Sequence, residues 1–137
     1  MKELTINIDR CSWIVYVFYA VREKDVDMVV NQLRNIVCPY TIMREAAEHL
    51  LSGEDNSGLT YTNTRLKETV LVIGEATSPE EFFNSLTHET RHLEAHIAQA
   101  LDLDPFGEEV CYIAGEIAGK LFTLAEPFLC QNHVASS

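Results

Sequence analysis

The run from Trp13 to Val21 constrains the fold more than any other part of the chain. It is the longest apolar stretch, and Trp13, Ile14, Val15, Tyr16, Val17, Phe18 and Tyr19 are all β-branched or aromatic. Such side chains lose rotamer freedom in a helix and pack well on a pleated surface, so residues 12–21 read as a strand. With no polar alternation, that strand is expected to be buried on both faces. The run is too short to cross a membrane, since a spanning helix needs roughly 20 apolar residues. Ahead of it, residues 3–8 alternate, with Leu4, Ile6 and Ile8 on one side, and read as a second strand. Asp9-Arg10-Cys11 reads as the turn of a hairpin, although it lacks the glycine such turns favour.

Further along, Val26, Val29, Val30, Leu33, Ile36 and Val37 recur at helical spacing, and Ala46, Ala47, Leu50 and Leu51 resume it. The pattern predicts helix over residues 25–51, broken near Cys38 by Pro39. Residues 52–58 (SGEDNSG) read as a loop. Two short strands follow, Leu59 to Thr64 and Thr69 to Ile73, joined by Arg65-Leu66-Lys67. Ser78, Pro79 and Glu81 then form the clearest helix start: a cap, a proline at the first helical position, and the acid of a capping box. That helix should run from about Pro79 to Leu101. Asp104-Pro105 signals another, running to about Ala125 with Pro127 beyond. The order β-β-α-β-β-α-α predicts one α+β domain spanning residues 1–137, with a mainly antiparallel sheet.

The charge is lopsided. The chain carries 21 acids and 10 bases, a formal net charge of −11. Residues 71–137 hold only two bases, Arg91 and Lys120, against 11 acids, a net of −9. This balance argues against general nucleic-acid binding, which needs a basic footprint. It leaves either an acidic solvent surface or carboxylates gathered for a cation. The start MKELTINID lacks the apolar core of a signal peptide. Cys11, Cys38, Cys111 and Cys130 are scattered, with no Cys-x-x-Cys pair, which points to a reducing, cytoplasmic setting.

Within the capped helix lies His88-Glu89-Thr90-Arg91-His92, a His-Glu-x-x-His motif. Two histidines four apart project from one helix face and can bind one metal ion. The glutamate between them can take a proton from water at that metal. At about 100° per residue, Phe82, Leu86, Leu93, Ile97 and Ala100 form an apolar stripe. His88, His92 and His96 form a second stripe beside it with Glu89 at the border, and Arg91 and Glu94 point to solvent. His96 lies ~12 Å above residue 88 along a continuous helix, too far to share its metal. It is expected to face substrate, to support a ligand, or to sit at the border. A third ligand should come from the next helix, with Glu108, Glu109, Cys111 and Glu116 as candidates. Trp13 and its aromatic neighbours are expected in the core, and His49 and His133 at the surface.

In this motif the chain resembles the zincin metallopeptidases, specifically the small gluzincin-like proteins of bacterial and phage genomes. The resemblance covers roughly residues 70–125. In that grouping a glutamate on a following helix supplies the third ligand, often followed by Tyr four residues later and Gly seven later. Glu108, Tyr112 and Gly115 stand at that spacing here. The resemblance therefore implies a zincin-like minimal domain in which His88, His92 and Glu108 hold Zn²⁺. Glu89 would be the general base, and Tyr112 a hydrogen-bond donor to the transition state. It implies amide-bond hydrolysis of a peptide or protein, with the last strand before the motif helix, Thr69 to Ile73, or its partner Leu59 to Thr64 lining the cleft. The competing expectation is a zinc-binding, non-catalytic module of a phage or mobile element. A third is a metal-free acidic inhibitor or nucleic-acid mimic.

Overall fold

A computed structural model describes residues 1–53 and 58–128. The two N-terminal runs form strands β1 (Lys2–Ile8) and β2 (Trp13–Tyr19), paired antiparallel from Lys2↔Tyr19 to Ile8↔Trp13. The connection holds Ser12 at φ 55°, so a serine occupies the left-handed position that a glycine would usually take. A short 3₁₀ turn (Glu23–Asp25) leads into α1 (Val26–Asn35), followed by α2 (Tyr40–Leu51). The break falls where Pro39 places it. Its stop is a Schellman arrangement, in which Cys38 N–H donates to Leu33 C=O and Val37 N–H to Arg34 C=O. Val37 holds the left-handed position of that motif at φ 61°. Residues 54–57 of the expected loop, and His133 and Cys130, lie outside the described residues.

Strands β3 (Leu59–Asn63) and β4 (Glu68–Ile73) form the second hairpin. Asn63 fastens its turn by accepting from the Arg65 and Leu66 amides and donating to Ile36 C=O. The strand order is β1-β2-β4-β3. The expectation of a mainly antiparallel sheet holds for the two hairpins, but β4 enters the middle of the sheet parallel to β2. The fold is therefore α+β with a mixed four-stranded sheet. Thr69–Ile73 is an interior strand, and β1 and β3 form the two edges.

The double burial of β2 has a direct cause, because helices cover both faces of the sheet. Trp13, Val15 and Val17 point to one side with Ile6, Ile8, Leu71 and Ile73, beneath α3 (Pro79–Ala100) and α4 (Glu108–Lys120). Phe18, Val70 and Val72 point to the other, against Val26, Val29 and Leu33 of α1 and Ala46 and Leu50 of α2. Each fully buried aliphatic or aromatic side chain contributes about 1.5–3 kcal/mol. The largest anchors are Trp13 and Phe82, both wholly buried.

Helix α3 starts as the sequence predicts, with the Ser78 hydroxyl accepting from Glu81 N–H. The reciprocal arm differs: the Glu81 carboxylate accepts from the Thr77 amide and hydroxyl, each at 3.0 Å. These bonds hold its pKa below the ordinary value. The helix ends in a second Schellman arrangement, with Leu103 N–H donating to Ala98 C=O and Asp102 at φ 55°. Asp104-Pro105 does not open the next helix. Asp104 instead closes a turn by accepting from the Phe106 and Gly107 amides, and α4 begins at Glu108. Residues 122–128 are helical and include Pro127. Thr123 C=O, which Pro127 cannot bond for want of an N–H, receives the Lys2 ammonium instead.

Candidate functional site

Helix α3 packs over β4 and β3, and α4 packs over β1 beside it. The face of α3 turned toward α4 carries Leu86, Thr87, Thr90 and Glu94, which line a groove with Ala114, Ala118 and Leu121. Glu94, expected to point to solvent, is half-buried in this groove, which raises its pKa despite nearby Arg91. At 100° per residue the histidine stripe lies on the opposite side of α3, facing the β3 edge. Of the expected apolar stripe, Phe82, Leu93 and Ile97 are buried, whereas Ala100 is exposed and Ala98 takes a buried place.

His88 and His92 stand on adjacent turns with ring centroids 5.0 Å apart and planes at 74°. Both are exposed, so the motif is open to solvent. Glu89 differs sharply, being 8% exposed. Its Oε1 accepts from the Thr60 hydroxyl of β3 at 2.8 Å, and its Oε2 lies 4.0 Å from His88 Nε2. A Cβ added at Gly58 would stand 2.4 Å from Oε2, so the missing side chain there makes room for this carboxylate. His49, expected as a plain surface histidine, reaches the same place from α2. Its Nε2 bonds Gly58 C=O at 3.1 Å, and it lines a cavity of about 260 Å³ with Gly58, Asn84, Ser85, His88 and Glu89. Nothing local in the sequence signals this, because the approach depends on how α2 packs.

His96 continues the stripe, its ring centroid 6.5 Å from that of His92. Its Nδ1 is 2.8 Å from the Thr62 hydroxyl, which in turn lies 2.8 Å from the Thr69 hydroxyl. The indole N–H of Trp13 donates to Thr69 Oγ1 at 2.9 Å. Burial, and then the neighbouring His92, push the His96 pKa below 6.5. Alternate threonines of the edge strand thus each grip one helix residue: Thr60 holds Glu89 and Thr62 holds His96. A strand's period of two puts both on the helix side.

The residues expected on the following helix do not join this group. Glu108 is exposed on the first turn of α4, a helix that packs on the far side of α3 from the histidines. Tyr112 is 56% exposed with the Arg10 guanidinium 4.5 Å over its ring, and Glu109 is ion-paired to that same arginine at 2.8 Å. Glu116 accepts from the Lys120 ammonium and from the Asp9 and Arg10 amides, which lower its pKa, so it fastens the β1–β2 turn. Cys111 is an exposed free thiol. Among the described residues no three His, Cys, Asp or Glu side chains are grouped to hold a metal ion. The reason is topological. The sheet edge that presents Thr60 and Thr62 to α3 is the one remote from α4.

No family model, no curated protein and no solved structure matches the chain.

Proposed function

We propose that the chain is a zinc-dependent hydrolase acting on an amide bond, centred on His88, Glu89 and His92. The observation that carries this reading is the contrast within the motif. Two histidines stand exposed on adjacent turns, while the glutamate between them is buried and held by a hydrogen bond from the edge strand. A site that only held a metal would have no use for a carboxylate oriented in this way.

The donor set suits zinc in two positions. His88 and His92 would hold the ion, which would supply a Lewis acid to polarise a carbonyl and acidify water. Glu108 is not a donor in this arrangement. Thr60 donates to Oε1, leaving Oε2, on the His88 side, as the oxygen able to take a proton from water. The same oxygen can return that proton to the leaving amine. The tether to Thr60 keeps the carboxylate from swinging away between the two transfers. Among the described residues β3 pairs with β4 alone, so its other flank is available to an extended peptide.

A zinc-binding module without catalysis is the second reading; it would need a closed set of four protein ligands, where a catalytic zinc keeps one position open. The two are separated by elemental analysis and a peptidase assay on wild type, H88A and E89Q. The hydrolase reading expects zinc in wild type and E89Q, little in H88A, and cleavage in wild type alone. Cleavage by E89Q at the wild-type rate would refute it. Zinc binding without cleavage in wild type would favour the second reading.

A further inference from the structure

The hydrogen-bond chain beside the histidine stripe starts from a donor of fixed direction. An indole N–H can only donate, so Thr69 Oγ1 accepts from Trp13. Thr69 is wholly buried, and its one remaining hydroxyl neighbour is Thr62. Were Thr62 to donate to Thr69, the Thr69 proton would be stranded in the core, at the cost of an unmade buried bond. Thr69 therefore donates to Thr62, and Thr62 has its own proton left for His96 Nδ1. With Thr62 donating there, Nδ1 is the acceptor and in the neutral ring the proton sits on Nε2.

Nε2 has no protein partner among the described residues, and His96 lines a cleft of about 480 Å³ with Thr60, Thr62, Thr64 and Gln99. The cleft runs along the edge strand, next to the His88–Glu89–His92 group. We propose that His96 is a substrate-binding residue, held as its Nε2–H tautomer by the Trp13–Thr69–Thr62 relay, and that it donates to a carbonyl oxygen of an extended peptide lying along β3. Naming the acceptor as a peptide carbonyl rests on the hydrolase reading; the tautomer does not. Metal ligation through Nε2 would instead require Thr62 to accept from both Thr69 and Nδ1–H and to turn its own proton into the cleft. Trp13, Thr69 and Thr62 act as positioning residues.

The test uses metal-free, ¹⁵N-labelled protein and long-range ¹H–¹⁵N correlation of the histidine rings at neutral pH. Expected for His96 are an unprotonated Nδ1 and a protonated Nε2, with a mixture of tautomers in T62V. A protonated Nδ1 in wild type, or an unchanged tautomer in T62V, overturns the relay. Acetyl-tetraalanine amide, added to its solubility limit, should shift the His96 ring signals and the amides of Thr60, Thr62 and Thr64. It should shift those amides less in H96A. No shift in wild type overturns the binding role. A zinc titration completes the set: H96A should bind zinc within twofold of wild type, and a loss of tenfold or more would make His96 a ligand and refute the proposal. Because the ring and peptide measurements need no metal, failure of the zinc reading leaves their outcome legible.

Discussion

Thr69→Val is the most direct perturbation of the link between core and site. Valine matches threonine in shape but has no hydroxyl, and Thr69 and Trp13 are both wholly buried. The substitution strands the indole N–H, whose only bond among the described residues is the 2.9 Å contact to Thr69 Oγ1. An unsatisfied buried donor costs about 1–3 kcal/mol. Taking the middle of that range, T69V should lose about 2 kcal/mol, which for a domain of this size lowers Tm by roughly 6–8 °C. Urea denaturation followed by far-ultraviolet circular dichroism measures it, and the same signal serves variants that lack Trp13, the single tryptophan. A double-mutant cycle isolates the cause. In a W13F background there is no donor to strand, so the added cost of T69V should fall below ~1 kcal/mol. Equal costs in both backgrounds would show that Thr69 does not serve the indole, and the argument for the direction of the relay would fall with it.

Two further outcomes follow from the same physical terms. Val37 holds a left-handed φ of 61° with its side chain 70% exposed, so V37G removes strain and sacrifices little packing. It should raise stability by about 0.5–1 kcal/mol in urea melts, the relief of ~1–3 kcal/mol of strain exceeding the entropy glycine adds to the unfolded chain. Glu94 has a folded pKa raised first by burial, so its contribution is favourable only when protonated and is lost as pH rises through that value. E94Q should therefore be more stable than wild type at pH 7, with the gap closing below the ordinary carboxylate pKa of 4.5, as followed by thermal melts across pH.

Much of this was legible in the chain because the deciding signals were local. The β-branched run at 13–19, the Pro39 break and the Ser78 cap each act within a few residues, and each element formed where expected. Parallel pairing of β2 with β4 was not legible, because Thr69–Ile73 would read as a short apolar strand in either orientation. The motif itself was equally plain, as was its place on one face of a capped helix. Its surroundings were not. The expectation that Glu108 and Tyr112 meet the histidines assumed that α4 lies on the histidine side of α3, and no local spacing decides on which flank a following helix packs. Arg10 does report on it in retrospect: it pairs with Glu109 and covers Tyr112, which ties that face of α4 to the β1–β2 turn. Thr60 and Thr62 carried a weak signal, since two threonines alternate with Tyr61 on β3, in the hairpin that precedes the motif helix. Only the register of β3 against α3 gives them meaning.

The acidity of residues 71–137 can now be assigned, and it bears on which cation the site would take. Glu75 pairs with Arg22, Glu109 with Arg10, and Glu116 with Lys120 and the β1–β2 turn. Glu81 caps its own helix, Glu94 fills the groove between α3 and α4, and Glu108 is exposed on α4. Of these acids only Glu89 stands among the histidines, and Thr60 already occupies one of its oxygens. The carboxylates therefore do not converge into an oxygen cage of the kind that calcium and magnesium require. What the motif offers a cation is imidazole nitrogen, which favours zinc and its transition-metal neighbours. Titration of the apo protein should show His88 and His92 ring signals moving with Zn²⁺, and not with a tenfold excess of Ca²⁺ or Mg²⁺. H88A should abolish the response, and E108Q should leave it within twofold. A Mg²⁺ or Ca²⁺ response at the histidines would refute the nitrogen-donor argument. A large loss in E108Q would mean that α4 moves across α3 on metal binding, restoring Glu108 as the third ligand.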